Sequence, residues 1–272
     1  MSLVNAELFK VRTTSLWWIM GIILLPLYAA SVLANWAQYA NSEVTGDTTD
    51  LQAQQIQAAL QPINVATSLY TSGQYFGILI VLLLSAIIVT SEFFHLTATT
   101  TFLTTPHREA VILAKFGAAV IIAAVIWLFT TVVNLIVVPL ILGNLDLPTQ
   151  LGEPAVWRAI GLNALAFVLW AILGVGAGVL IRSQIAATLI LAITYVAGTA
   201  VVSIIFALLT NFVAEWINNL QVLVPTSASQ LMISGTDLPG SPPQWVGAIV
   251  LIGYAVVTGL LGTWITKRRD IS

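Results

Sequence analysis

Seven windows of at least 21 residues contain no Asp, Glu, Lys or Arg: 13–42, 51–91, 116–145, 159–181, 183–214, 216–236 and 238–266. A charge near the centre of a bilayer costs about 2.5–3.5 kcal/mol on insertion scales, and a helix needs about 20 residues to cross. Windows of this length and number are what a chain that lives in lipid can tolerate. Composition agrees: 58% of the residues are hydrophobic and 7% are charged, where a soluble domain carries roughly 25% charge. The formal net charge of −2 offers no basic surface for a phosphate backbone. An ordinary soluble enzyme, a nucleic-acid binder and a disordered chain are therefore excluded. With no cysteine, disulfides and thiolate metal sites are excluded too.

The apolar cores predict six spans, at 15–34, 74–91, 114–142, 158–181, 184–210 and 245–265. The window 216–236 is different. Asn218, Asn219, Gln221, Pro225, Thr226 and several serines surround a short Val222-Leu223-Val224 run, too polar for unprotected lipid. Residues 211–244 are accordingly read as an external segment that re-enters the outer mouth. The fold class is an all-α integral membrane protein, one transmembrane domain over 1–272. An even span count puts both termini on one side. Lys10, Arg12, Arg108, Lys115, Arg182, Lys267, Arg268 and Arg269 fall on that side, and Arg158 falls on the other. The positive-inside rule then makes both termini cytoplasmic, in a bacterial cytoplasmic membrane. The first apolar run is longer than a signal-peptide core and is read as a retained span.

No Asp, Glu, Lys, Arg or His lies in the middle of a span, which argues against an ion-coupled carrier. No P-loop motif occurs, so energy for transport would have to enter from the cytoplasmic face. Attention falls on the loop 92–110, where Glu92, His95, His107, Arg108 and Glu109 crowd together. Glu92 and His95 form a single E-x-x-H, short of a di-iron set, and no metal site is expected. Residues 1–14 read as an amphipathic interfacial helix, with Leu3, Val4, Leu8 and Val11 on one face and Glu7, Lys10 and Arg12 on the other. Gly174, Gly176 and Gly178 allow close approach of another helix.

Two of these patterns resemble a known family. Ala6-Glu7-Leu8-Phe9-Lys10-Val11-Arg12-Thr13-Thr14 resembles the start of permease subunits of ABC-2 type ATP-binding-cassette exporters. Ser91-Glu92-Phe93-Phe94-His95, the stretch Thr100 to Arg108 and Ala114-Lys115 resemble their first cytoplasmic loop, and Val224-Pro225-Thr226-Ser227-Ala228 their external segment. Leu96 departs from the pattern where a glycine is common, and His107 where a second basic residue is.

The resemblance implies a chain that is no enzyme by itself and holds no cofactor, with ATP and magnesium on a separate ATPase subunit. A second permease copy would complete the exporter. Glu92, Thr97, Thr100, Leu103, Pro106, His107, Arg108 and Glu109 would seat a coupling helix in the ATPase, flanked by Glu7, Lys10 and Arg12. A pathway between the copies would be lined by Tyr28, Asn35, Asn134 and Tyr195. The cargo would be an amphipathic small molecule, peptide or lipid. The alternatives are a single-component transporter or channel of another six-span family and, behind it, an intramembrane enzyme or assembly protein, for which no catalytic cluster at membrane depth is found.

The charge asymmetry makes a topology prediction. A reporter active only in the cytoplasm should be active when fused at the C-terminus and silent when inserted at Gly152. Activity at both positions would overturn the orientation.

Overall fold

The structure is a computed structural model that describes residues 3–41, 51–97, 107–181, 183–212 and 215–268. Among these residues all regular structure is helical. A short helix α1 (Leu3–Thr13) precedes α2 (Leu16–Ala40), and α3 (Leu51–Ala59) follows the first connection. Helices α4 (Pro62–Tyr70) and α5 (Gln74–Phe94) form one interrupted rod. Then come α6 (Arg108–Asn144) and α7 (Pro154–Leu180). Helices α8 (Gln184–Ile193) and α9 (Thr199–Phe212) are joined by a π-helical turn at Thr194–Gly198. A 3₁₀ segment (Glu215–Leu223), α10 (Pro225–Met232) and α11 (Gln244–Arg268) complete the order.

Among the described residues, six helical stretches are long and apolar enough to cross a bilayer: Leu16–Ala40, Pro62–Phe94, Arg108–Asn144, Pro154–Leu180, Gln184–Thr210 and Gln244–Thr266. The chain is thus a multi-span helical membrane protein. The second span starts at Pro62, well before the apolar core at 74, because α4 continues the rod across a kink.

Helix α5 is the centre of the bundle. Nearly every residue from Gly77 to Thr90 is buried, and it packs against α7, α6 and α2. Phe167, Trp170, Ile78, Val81 and Leu251 lie in the principal core. By contrast α8 and α9 present Ile185, Leu189, Ile193, Ile204 and Leu208 outward, which suits a surface bathed in acyl chains. Without a hydrophobic drive between helices in lipid, close packing must come from small residues. The three glycines of α7 do this on two faces. A Cβ on Gly174 would stand 2.6 Å from Leu82 O, and one on Gly178 would stand 2.7 Å from Ala86 O, both on α5. A Cβ on Gly176 would stand 2.7 Å from Thr258 O on α11. Glycine here is a matter of backbone contact, not of flexibility.

Overpacking of such a contact sets the next prediction. Gly174→Leu should lower stability by about 3 kcal/mol, the upper end of the usual overpacking cost. Gly161→Ala, on the same helix with nothing within 4 Å of its Cβ, should be neutral or slightly stabilising. Thermal unfolding in detergent compares the two.

Candidate functional site

Two polar constellations stand out in this apolar bundle, one at each end. The first is a closed ring of charges beside α1. Lys10 Nζ lies 2.7 Å from Glu7 Oε1 and 2.6 Å from Glu92 Oε1. Lys115 Nζ lies 2.9 Å from Glu7 Oε2 and 2.9 Å from Glu92 Oε1. Lys115 also donates to Ile88 O at 3.2 Å. Glu7, Glu92 and Lys115 are each at most 5% exposed, so two carboxylates and one ammonium are out of water, and the half-exposed Lys10 completes the neutral set from the rim. The ring ties α1 to the end of α5 and the start of α6.

The local sequence explains the geometry. Glu7 and Lys10 are three apart and share one face of α1. Glu92 sits in the last turn of α5, which ends in a Schellman motif: Thr97 N donates to Glu92 O at 2.9 Å and Leu96 N to Phe93 O at 3.3 Å,. Leu96 takes the left-handed position with φ 57°, where glycine is the residue of least strain. Lys10 is held above its ordinary value. Burial alone would lower it, and the hydrogen bonds and charges of Glu7 and Glu92 more than offset that.

This ring corrects part of the coupling surface expected from the sequence. Glu92 and Glu7 are buried and engaged inside the chain, so neither is an anchor on an exposed docking face. Lys10 is half-exposed but points into the same ring. Arg12 and Thr97 are exposed, Arg108 is half-buried, and His107 and Glu109 are exposed at the start of α6. Thr100, Leu103 and Pro106 lie outside the described residues. Lys115 completes the ring and is missing from the expected set. Its signal was a lone lysine at the very start of the third apolar run.

The second constellation is at the opposite end, where the rod α4–α5 breaks. Thr71, Ser72 and Gly73 leave the helical path, and Gly73 takes φ 84°. A Cβ on Gly73 would collide with the ring of Tyr28. Asn134 on α6 repairs the interruption: its Nδ2 donates to Tyr70 O and to Ser72 O, both at 2.9 Å. Tyr28 Oη donates to Asn134 Oδ1 at 2.6 Å. Asn35 Nδ2 donates to Ser72 Oγ at 2.7 Å, and Gly73 N donates to Ser31 Oγ at 3.3 Å. A break at membrane depth is tolerated when neighbouring side chains satisfy the freed backbone.

Beside the break lies a cavity of about 310 Å³. Its walls are Ser31, Asn35 and Tyr39 from α2, Ala59 from α3, residues from Asn64 to Tyr75, Gln230 from α10, and residues from Ile233 to Leu238 after it. Among the described residues, none that lines it is Asp, Glu, Lys, Arg or His. Asn64 fixes the roof, its Oδ1 accepting from Thr236 N at 2.9 Å. Arg158 Nη2 donates to Gly235 O at 2.8 Å from outside. Segment 225–232 reaches deep enough for Trp170 Nε1 to donate to Ser229 Oγ at 2.7 Å.

Of the four expected pathway residues, Asn35 lines this cavity. Tyr28 and Asn134 are buried braces behind it, facing each other and not a second copy. Tyr195 sits in the π-helical turn, 5% exposed, donating to Tyr75 O at 2.8 Å. Its ring lies 4.9 Å from that of Tyr75 and 5.1 Å from that of Trp170. The cavity walls at Asn64, Ser72, Gly73 and Gln74 were missed. The available signal was a cluster of hydroxyls, amides and one glycine within the charge-free window 51–91.

Comparison with known proteins yields one family. The family model described as prolipoprotein diacylglyceryl transferase matches residues 2–107, under half of the chain. No curated protein matches. Both segments that carried most of the exporter resemblance, 6–14 and 91–108, lie largely inside this match. The finding overturns the ABC-2 permease reading and its single-component alternative. With it go the transport and efflux role, the partner ATPase, the second permease copy and the expectation that the chain is no enzyme. The ring bears on the same point: Glu7 and Glu92 of the supposed docking motif are buried and paired inside the chain. Membrane residence stands. The chain is a multi-pass protein of the bacterial cytoplasmic membrane.

Removing one member of a buried ion ring leaves its partner charged and unpaired, at about 3–5 kcal/mol. Glu92→Gln should therefore lower the unfolding temperature sharply, whereas Arg12→Gln should change it little. The contribution of Lys10 is complete below its ordinary value of 10.5 and is lost as pH rises through its raised folded value,. Unfolding temperature measured against pH should thus show no loss from Lys10 near neutrality and a decline only in strong alkali.

Proposed function

We propose that this chain is a membrane-embedded enzyme that transfers a diacylglyceryl group, with the cavity beside the α4–α5 break receiving the glycerol end of a lipid. One coincidence carries the reading. The family match covers residues 2–107, and that stretch supplies twelve of the eighteen residues lining the cavity. A diacylglyceryl group is amphipathic: its acyl chains belong in the hydrocarbon and its glycerol belongs where oxygen atoms find donors. A cavity walled by hydroxyls and amides within an apolar bundle meets that need. Ser31, Asn35, Ser68, Ser72, Gln74 and Thr236 would bind and orient the glycerol oxygens, and the roof fixed by Asn64 would limit water.

In this reading both termini are cytoplasmic, α1 lies along the inner interface and 211–244 folds back over the external mouth. The acceptor would approach from that mouth. Transfer joins the acceptor's nucleophile to a glycerol carbon while the former headgroup departs with its bonding electrons.

The test is direct. The purified chain, reconstituted in vesicles of glycerophospholipid labelled in the acyl chains, is given a prolipoprotein acceptor. Label should move to the acceptor, and Asn35→Leu should slow transfer by about tenfold, equivalent to about 1.4 kcal/mol in the barrier. No transfer by the unmodified chain would overturn the assignment.

A further inference from the structure

One wall of the cavity is not a helix. Residues 233–243 run from the end of α10 to the start of α11, and Ile233, Ser234, Gly235, Thr236 and Leu238 of this strap line the cavity. Its other side faces out, since Asp237 and Gly240 are exposed. The strap is therefore a single layer between the cavity and its surroundings. Both ends are fixed: Met232 and Ile233 lie in the principal core, and a Cβ on Gly247 of α11 would collide with Ala228 O. Between them, from Ser234 to Pro243, no apolar side chain is buried. Hydrogen bonds from other elements hold this stretch instead. Asn64 of α4 accepts from Thr236 N at 2.9 Å and donates from Nδ2 to Thr236 Oγ1 at 2.8 Å. Arg158 of α7, itself exposed, donates to Gly235 O at 2.8 Å, and Gln55 of α3 donates to Pro239 O at 2.8 Å. Thr67, 1% exposed, lies beneath: a Cβ on Gly235 would stand 2.5 Å from Thr67 Oγ1 and 2.5 Å from Asn64 Oδ1. The strap lies flat because residue 235 has no side chain.

We propose that 234–243 is a latched gate, held shut by Asn64, Arg158 and Gln55, whose opening admits a water-soluble reactant to the cavity. A hydrogen bond at a surface is exchanged for one to water with little net loss. The helices on the other walls are held by buried side chains and by the Asn134 brace. The stretch with the fewest buried apolar contacts is the one that opens first. Bending has a place to occur: Gly240 takes φ 68°, a conformation glycine adopts without strain, while Pro242 and Pro243 stiffen the approach to α11. The route is polar. Asp237 on the strap and Arg158 against it are both charged and exposed, so what passes between them comes from water and not from hydrocarbon. On the diacylglyceryl reading that reactant is the acceptor; the gate itself does not need that reading.

The chain has no cysteine of its own, so one introduced thiol reports opening. Thr67→Cys places it beneath Gly235. Ser85→Cys places it in α5 at a position 1% exposed that does not line the cavity. Both chains, in lipid nanodiscs, are treated with a sulfonated methanethiosulfonate, a charged reagent that stays out of hydrocarbon, and labelling is followed by mass. Thr67→Cys should react slowly. Adding Arg158→Ala should raise its rate about fivefold, the factor expected from loss of one net hydrogen bond. Adding Gly235→Ala, which wedges the strap off Asn64 and Thr67, should raise it at least as much. Ser85→Cys should stay unlabelled in every background. The two latch variants act by different means, so acceleration in either one, with Ser85→Cys steady, supports the gate. An unchanged Thr67→Cys rate in both overturns it. So does equal acceleration at Ser85→Cys, which is general loosening, and so does acceleration seen with N-ethylmaleimide alone, which is entry from the hydrocarbon. The transfer assay is read separately. Latch-dependent labelling without transfer defeats the enzymatic reading alone, and transfer with latch-independent labelling defeats the gate alone.

Discussion

Hydrocarbon offers no partner to a backbone N–H or C=O, and that constraint organises this molecule. Wherever the chain leaves a helical path inside the bundle, a side chain must take over. The break at 71–73 is the clearest case. Asn134 holds two carbonyls released there, Tyr28 holds Asn134, and Ser31 receives Gly73 N. Three spans are thereby fixed to one another around a kink. The cavity exists because the rod is broken, and the rod can be broken because these amides and hydroxyls repair it.

The charged ring at the other end follows the same logic in stronger form. Glu7, Glu92 and Lys115 could not be buried singly, but they can be as a set that the half-exposed Lys10 makes neutral,. The energetic yield of such a ring is modest against a well-packed apolar alternative. Its consequence is geometric: α1 has one seat on α5 and α6, because any shift of the helix would leave a charge without a partner.

These two constellations divide the polar groups of an apolar chain into different uses. The ring pairs each of its four charges with two opposite ones and closes on itself. The cavity keeps hydroxyls and amides facing open space, roofed by the Asn64–Thr236 contact. An arrangement that is complete serves to hold the bundle, and one that is incomplete is suited to a ligand. That contrast, more than any single residue, is why the proposed transfer site is placed at the break and not at the charged loop.

The sequence by itself determined the membrane class and the six-span helical plan, because charge-free length is a local property that lipid reads directly. It also marked Gly174, Gly176 and Gly178 as close-contact residues, and it read Tyr28, Asn35 and Asn134 as pathway lining, where Asn35 lines the cavity and Tyr28 and Asn134 brace the break. It misplaced the role of Glu7, Lys10 and Glu92, since a charge near a loop looks solvated until the helices around it are known. Tertiary structure decided that these charges face inward, that Lys115 from the next helix completes them, and that Asn134 meets a break 62 residues away in the chain. It also decided that Asn64 and Arg158, far from 233–238 in the chain, hold that segment against the cavity. Those facts depend on pairing between distant segments, which hydrophobic periodicity along one segment does not encode.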